Sequence, residues 1–185
     1  SSIEAQSTWN TTTGTWSTGS NWQPANTPIS DASTSLLFGG STSYTTTNDI
    51  GDFTLSQIRF NHSSGTIVLD GLPTTNALIF SNSSLGAQPS IQLTGPGSAT
   101  IATPVTWNAN TIVTHSGSGT LLLNGTQNYA NGTKQTYLNN GTGIFTLADG
   151  ITYASAGANT GLVLKVINNT PTANSFNVGD LGGLT

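Results

Sequence analysis

The chain has 185 residues, of which 3 are Lys or Arg and 7 are Asp or Glu, so its formal charge is −4. Charged residues make up 5% of the sequence, against about 25% in an ordinary soluble domain. Three cations cannot neutralise a run of phosphates, which excludes nucleic acid as a partner. No apolar stretch approaches the roughly 18 residues of a membrane span. Ser, Thr, Asn and Gly supply 96 residues, so the polar surface consists of hydroxyl and amide groups.

The N-terminal segment holds three of the four tryptophans of the chain. Trp9, Trp16 and Trp22 stand in a context rich in Thr, Ser and Asn. The open end of a stacked β structure exposes its apolar interior and needs a cap. We therefore predict that residues 1–47 form a Trp-rich N-terminal cap, and that residues 48–185 form the β coils of a single structural domain.

Short apolar clusters recur along the chain at intervals of about ten residues, which is typical of many short strands joined by turns. Thr between the clusters favours strands, and the connections are rich in Gly, Asn, Ser and Pro. No window has the apolar i, i+3, i+4, i+7 pattern of a helix. The clusters lie at 36–38, 53–55, 58–60, 67–69, 78–80, 91–93, 105–107, 112–113, 121–123, 144–147, 162–167 and 176–178. The sequence predicts an all-β fold.

Two all-β architectures have this strand spacing. We predict a right-handed parallel β-solenoid (β-helix), and an antiparallel β-sandwich or jelly roll is the alternative. Two-residue hairpins are scarce: Asp70-Gly71 and Asn124-Gly125 are the best, and both lead into polar or Pro-containing loops. The segments also share their composition without a strict period. Stacked coils cohere through backbone and Asn, Thr and Ser ladders, which accounts for the scarcity of charge.

The N-terminal motifs resemble those of a known family. Trp16-Ser-Thr-Gly-Ser-Asn-Trp22, Pro28, Asp31 and Leu36-Leu-Phe-Gly-Gly40 are similar to the opening of autotransporter-associated β-strand repeat proteins. These are large secreted bacterial surface proteins that often carry a PEP-CTERM sorting tail. The resemblance covers about residues 8–125, and its later stretches are 48–60, 101–107 and 114–125.

The resemblance implies a secreted β-solenoid with a structural or adhesive role and no catalytic residues. We predict a structural subunit of an extracellular bacterial fibre or surface layer, which joins copies of itself head to tail through β-coil or strand-edge contacts into a homopolymer. In one variant the N-terminus adds a strand to a neighbouring copy. The residues of that intersubunit strand are Ser1, Ser2, Ile3, Glu4, Ala5, Gln6, Ser7 and Thr8.

The expected location of the protein follows from the absence of methionine. The chain contains no Met, although a nascent chain begins with one. Ser1 is therefore expected to be a processed or truncated terminus, and removal of a secretion signal is one natural route. This expectation favours an extracellular or cell-surface location.

Two other function classes are open. A monomeric carbohydrate-binding adhesin module would stack sugar rings on an exposed Trp16 or Trp22. A polysaccharide-cleaving solenoid enzyme needs a basic groove or a carboxylate pair. The three cations are dispersed and nothing in the sequence selects a pair of carboxylates, so we predict that the chain is not an enzyme.

The candidate metal ligands are few. Asp49 and Asp52 flank Gly51 without the rest of a calcium loop, so we expect them to make turn hydrogen bonds. His62 and His115 lie in Ser/Gly loops with no third ligand at zinc spacing. We therefore predict no metal, no cofactor and no catalytic residue.

Asn-x-Ser/Thr sequons license N-glycosylation of the chain. Their number is close to that expected by chance for this composition, so they do not argue for the modification. Glycans would nevertheless keep a charge-poor surface soluble. The sequon residues are Asn10, Asn61, Asn82, Asn124, Asn131, Asn140 and Asn168.

Overall fold

The computed structural model describes residues 5–83, 86–130 and 133–147, together with the strands at 151–153, 163–168 and 176–178. These residues form twenty β-strands and one short 3-10 turn at Gly19–Asn21, which confirms the all-β prediction. In this part of the chain there is no helix with the length and apolar character to cross a membrane.

The strands lie in three stacked sheets. Sheet A contains β1 (Ala5–Trp9), β3 (Trp22–Gln23), β4 (Thr34–Phe38), β7 (Gln57–Phe60), β10 (Ser90–Leu93), β13 (Thr111–His115), β16 (Lys134–Asn139) and β19 (Val163–Asn168). Sheet B contains β2 (Gly14–Thr15), β5 (Tyr44–Asn48), β8 (Thr66–Gly71), β11 (Ser98–Ile101), β14 (Thr120–Leu123), β17 (Ile144–Leu147) and β20 (Phe176–Val178). Sheet C contains β6 (Phe53–Leu55), β9 (Leu78–Phe80), β12 (Val105–Trp107), β15 (Gln127–Tyr129) and β18 (Ile151–Tyr153).

From β4 to β18, each coil supplies one strand to sheet A, then one to sheet B, then one to sheet C. The pairings between successive coils are parallel throughout the described strands, whereas β3 pairs antiparallel with β1. The result is a parallel β-solenoid of about five turns. The predicted solenoid is confirmed, and the antiparallel sandwich is not formed.

Successive coils differ in length although their strands keep register. Leu36 pairs with Ile58, Ile58 with Ile91 and Ile91 with Val113, so the steps from coil to coil are 22, 33 and 22 residues. Most of the extra residues of the long step lie between β9 and β10. This insertion explains why the sequence has no strict period.

Columns of inward-facing side chains fill the interior. Buried and outward residues alternate along the strands, as expected for half-buried strands. The register then stacks equivalent inward positions, as for Phe53, Leu78 and Val105 in sheet C, and all three are fully buried. The buried apolar side chains form one continuous core.

An aromatic cluster closes the N-terminal end of the solenoid. Trp9, Trp16 and Trp22 are 5%, 0% and 0% exposed, and their rings lie 6.3, 6.3 and 5.8 Å from that of Phe38. Each buried indole N–H has a partner: Trp16 donates to the hydroxyl of Thr46 and Trp22 to the carbonyl of Trp16. The predicted Trp-rich cap is confirmed.

The first strand is used within the chain. Residues 5–8 of β1 pair with β4, and the last two residues of β1 pair antiparallel with β3. The prediction of an intersubunit strand over residues 1–8 is therefore wrong for residues 5–8, because sheet A of the same chain holds them; residues 1–4 lie outside the described residues. The coils also begin before residue 48, since β4 of the first full coil starts at Thr34.

Glycines build the corner at which the chain passes from sheet A to sheet B. They stack in two columns: Gly95, Gly117 and Gly141 in the first, and Gly97, Gly119 and Gly143 in the second. A Cβ at Gly117 would overlap the carbonyl oxygen of Gly95, and one at Gly119 would overlap that of Gly97. Backbone therefore rests directly on backbone here, which leaves no room for a side chain.

Candidate functional site

The carboxylates between sheets B and C make structural hydrogen bonds. Asp49 accepts bonds from the amide and hydroxyl of Ser17 at 2.9 and 2.5 Å, and Asp52 accepts one from the amide of Ala77 at 2.9 Å. Burial acts to raise the pKa of Asp49, but the bonds from Ser17 outweigh it and hold this pKa below its usual value. These contacts tie the turn at 49–52 to the cap and to the next coil.

His62 and His115 are buried in the corner between sheets A and B. The imidazole of His62 lies against Gly97 and that of His115 against Gly143, so each ring fills space that a glycine in a later coil leaves open. Nε2 of His62 is 2.7 Å from the carbonyl oxygen of Ser98. Within the described residues, Nδ1 of His62 and both ring nitrogens of His115 have no hydrogen-bond partner.

The two histidines do not share a site. His62 follows β7 and His115 ends β13, with β10 between these strands, so about 10 Å separates their coils along the stack. This is far more than the distance over which two imidazoles share one metal ion. No cluster of three or more His, Cys, Asp or Glu residues that could hold a metal occurs in the part of the chain that the structure describes.

The role of Trp16 and Trp22 as glycan contacts is wrong. Both side chains are fully buried, and their rings pack edge to face with centroids 5.6 Å apart. A sugar ring stacks on an exposed aromatic face, and neither indole offers one. Their part is to fill the cap.

Most of the sequon asparagines lie on the surface. Asn10, Asn61, Asn82, Asn124 and Asn140 are exposed, which keeps their side-chain amides accessible to a glycosyltransferase. Asn131 lies outside the described residues, as does the side chain of Asn168.

A concave surface with polar side chains lies outside the corner between sheets A and B, beside the cap. We call it the corner groove. It has a volume of about 590 Å³ and is lined by residues 8–12, Leu37, residues 39–42, Tyr44 and Asn61. Three separate stretches of sequence meet there because β1, β4 and β7 are neighbours in sheet A. Asn10 and Asn61 are recognisable in the sequence as sequons, but no local signal joins them into one site.

Comparisons of the chain with models of known families, with curated proteins and with solved structures gave no match. The resemblance to autotransporter-associated repeat proteins therefore stays a prediction, and the function has to be argued from the residues and their arrangement.

Proposed function

We propose that the chain is a structural subunit of an extracellular bacterial fibre or surface layer. The observation that carries this proposal is the unbroken solenoid, in which the three sheets run from the N-terminal cap through all the described coils. Each coil contacts its neighbours through continuous backbone ladders, the arrangement that makes repeat proteins extended bodies. The resemblance to secreted surface proteins agrees with this role.

The scarcity of charge supports an extracellular setting. The described carboxylates Asp31, Asp49 and Asp52 bind hydroxyl and amide groups, so their contacts are hydrogen bonds to neutral partners. Salt screens interactions between charges and has little effect on apolar packing or backbone ladders. A fold with this composition keeps its stability when the external ionic strength changes.

Head-to-tail contact would use the surface of the cap. The free strand edges at this end are short, since β2 and β3 have two residues each. The free edge of sheet C is covered by the loop before β4, where the hydroxyl of Ser30 accepts a 2.9 Å bond from the amide of Thr54. Ile29 in this loop is 74% exposed, and we place it at the contact between copies.

The test is assembly of the purified chain and of two matched variants. Electron microscopy and sedimentation velocity over a wide concentration range should show filaments that lengthen with concentration. Ile29→Asp should abolish them, because it places a charge in the apolar contact. Leu72→Asp is the control, since Leu72 is 60% exposed but lies at the side of the solenoid after β8. Monomers at every concentration, or equal loss in both variants, would contradict the proposal.

Carbohydrate binding is the second candidate function, and the observation that favours it is the corner groove. A polysaccharide-cleaving activity has no such support, and the absence of catalysis stays a prediction that a panel of polysaccharides can check.

A further inference from the structure

We propose that the corner groove binds an uncharged saccharide, with side chains other than the buried Trp16 and Trp22. This site does not involve Ile29, the residue placed at the contact between copies, because the groove is lined by the outer side of the cap and of the first two full coils.

The size of the groove fits a small ligand. Its volume of about 590 Å³ lies within the roughly 300–1,000 Å³ of small-molecule sites. A mono- or disaccharide has that size, whereas a folded partner would need a broad surface.

The lining of the groove is uncharged at neutral pH. It consists of hydroxyl and amide side chains, glycine backbone, Leu37 and the small exposed parts of the largely buried Trp9 and Tyr44. A charged ligand would find no counter-ion there, and a purely apolar ligand would strand the polar groups. A neutral sugar carries hydroxyls on its edges and C–H groups on its faces, so it complements both parts of the lining.

Six polar side chains of the lining are available for a ligand. The hydroxyl of Tyr44 is already bound to the carbonyl of Gly39 at 2.9 Å, and the N–H of Trp9 is likewise engaged. In contrast, the other polar side chains of this group make no hydrogen bond within the described part of the chain. That group is Asn10, Thr11, Thr12, Ser41, Thr42 and Asn61.

Hydrogen bonds within the chain shape the groove in the absence of a ligand. Gly40 has a φ of +112°, a conformation that residues with a Cβ rarely adopt. Tyr44 is 6% exposed and its hydroxyl bond holds the Gly39 carbonyl in place. A preformed site loses little entropy on binding, which favours a weakly interacting ligand such as a sugar.

The experiment screens the full chain, produced in a host without N-glycosylation, on an array of neutral and acidic glycans. The best neutral glycan is then titrated by calorimetry. We expect neutral glycans to bind, and Asn61→Ala to weaken binding about tenfold, the effect of losing about one good hydrogen bond. Thr42→Trp should abolish binding because the indole fills the groove.

The control is Thr142→Trp, which is also an exposed position in the same corner, three strands of sheet A beyond β7. It should bind like the parent chain, and thermal unfolding should confirm that all variants fold. No neutral glycan bound, binding only of acidic glycans, or equal loss in Thr42→Trp and Thr142→Trp would overturn the proposal. Mass spectrometry of the native protein that finds a glycan on Asn10 or Asn61 would overturn it too, since the chain's own sugar would then occupy the groove.

Discussion

The indole Nε1 of Trp16 donates a 2.7 Å hydrogen bond to the hydroxyl of Thr46, and both side chains are fully buried. Thr46 stands at the start of an inward column that continues with Leu69 and Ile101. This column is otherwise apolar. It contains the hydroxyl of Thr46 because the indole N–H of Trp16 in the cap is buried away from water and needs an acceptor there.

Thr46→Val should therefore destabilise the protein although it keeps the shape of the side chain. The variant leaves a buried indole N–H without a partner, which costs about 1–3 kcal/mol. The control is Thr47→Val, the neighbouring outward residue on β5, which should change the free energy of unfolding by less than about 0.5 kcal/mol. Urea unfolding measures both, and equal effects would show that the bond adds nothing.

The fold class could be predicted because its signals are local. Alternation along a strand and turn residues between strands are read within a few positions, and they gave the all-β fold. The cap was also predictable, since Trp9, Trp16 and Trp22 lie close together in sequence. Whether the tryptophans fill the cap or contact a glycan depends on their burial, and the sequence left open that Trp16 or Trp22 is exposed.

The sequence could not predict which residues meet across neighbouring coils, because no local pattern encodes how the coils stack. In the run Thr45-Thr46-Thr47 only the middle residue faces the core, and three identical residues cannot reveal this. The corner groove is a stronger case, since it unites residues 8–12 with Asn61 only after the register between coils is fixed. Insertions make the steps unequal, so the register could not be extrapolated.

The glycine columns predict that replacing one of their glycines by alanine lowers the free energy of unfolding for steric reasons. In Gly119→Ala the new Cβ would overlap the carbonyl oxygen of Gly97, a backbone atom that cannot rotate away as the end of a side chain can, so the coils must separate. We expect a loss of about 3 kcal/mol, at the upper end for overpacking. Gly39→Ala is the control, because there a Cβ meets only Oδ1 of Asn61 at 2.6 Å, the end of a side chain that can rotate away.

The free energy of unfolding of the Gly39 variant should fall by less than about 1 kcal/mol. Neither glycine has a left-handed backbone conformation, so the comparison isolates sterics. If thermal unfolding shifted equally in both variants, the direct stacking of backbone on backbone would be disproved.

The buried histidines predict a loss of stability in mild acid. Burial lowers the pKa of His62 and of His115, and the backbone groups near each ring offset only part of this effect. In the unfolded chain a histidine has a pKa of about 6.5, so the unfolded state takes up protons first as the pH falls. Stability is therefore complete above about pH 6.5 and declines below it towards the folded pKa values.

The corner stretches around these histidines carry no other side chain that could titrate in this pH window. The corner stretches 39–43, 61–65, 94–97, 116–119 and 140–143 contain no Asp, Glu, Lys or Arg. Hydrogen bonds from Ser33 lower the pKa of Asp31 from 3.8, so that carboxylate titrates at more acidic pH. Urea midpoints at about pH 7.5 and about pH 5 should differ in the parent chain.

The double variant His62→Asn/His115→Asn tests whether these two histidines cause the loss of stability in mild acid. Asn is compatible with the stack, because Asn139 occupies the position paired with His115 in the next coil. The difference between the two urea midpoints should shrink in this double variant, whatever its absolute stability. An undiminished difference would assign the acid sensitivity to other groups.

A cluster of buried polar side chains lies in the interior of the later coils. The hydroxyls of Tyr129 and Tyr137 both donate to Oε1 of Gln135, and the two hydroxyl oxygens lie 3.4 Å apart. Nε2 of Gln135 is buried and has no hydrogen-bond partner within the described residues. The cluster thus satisfies two donors while it leaves another polar atom unsatisfied.

Because two hydroxyl donors share one acceptor, substitutions in this cluster should have non-additive effects on the free energy of unfolding. Gln135→Leu alone should lower the free energy of unfolding by about 1–3 kcal/mol, because two buried hydroxyls lose their acceptor. Adding Tyr129→Phe and Tyr137→Phe should restore stability to the parent value or above it, since the triple variant removes every polar group of the cluster together. Leucine suits the position, as Leu164 is its paired residue in β19. Urea unfolding of the single, double and triple variants measures the coupling, and losses that simply add would refute the cluster's role.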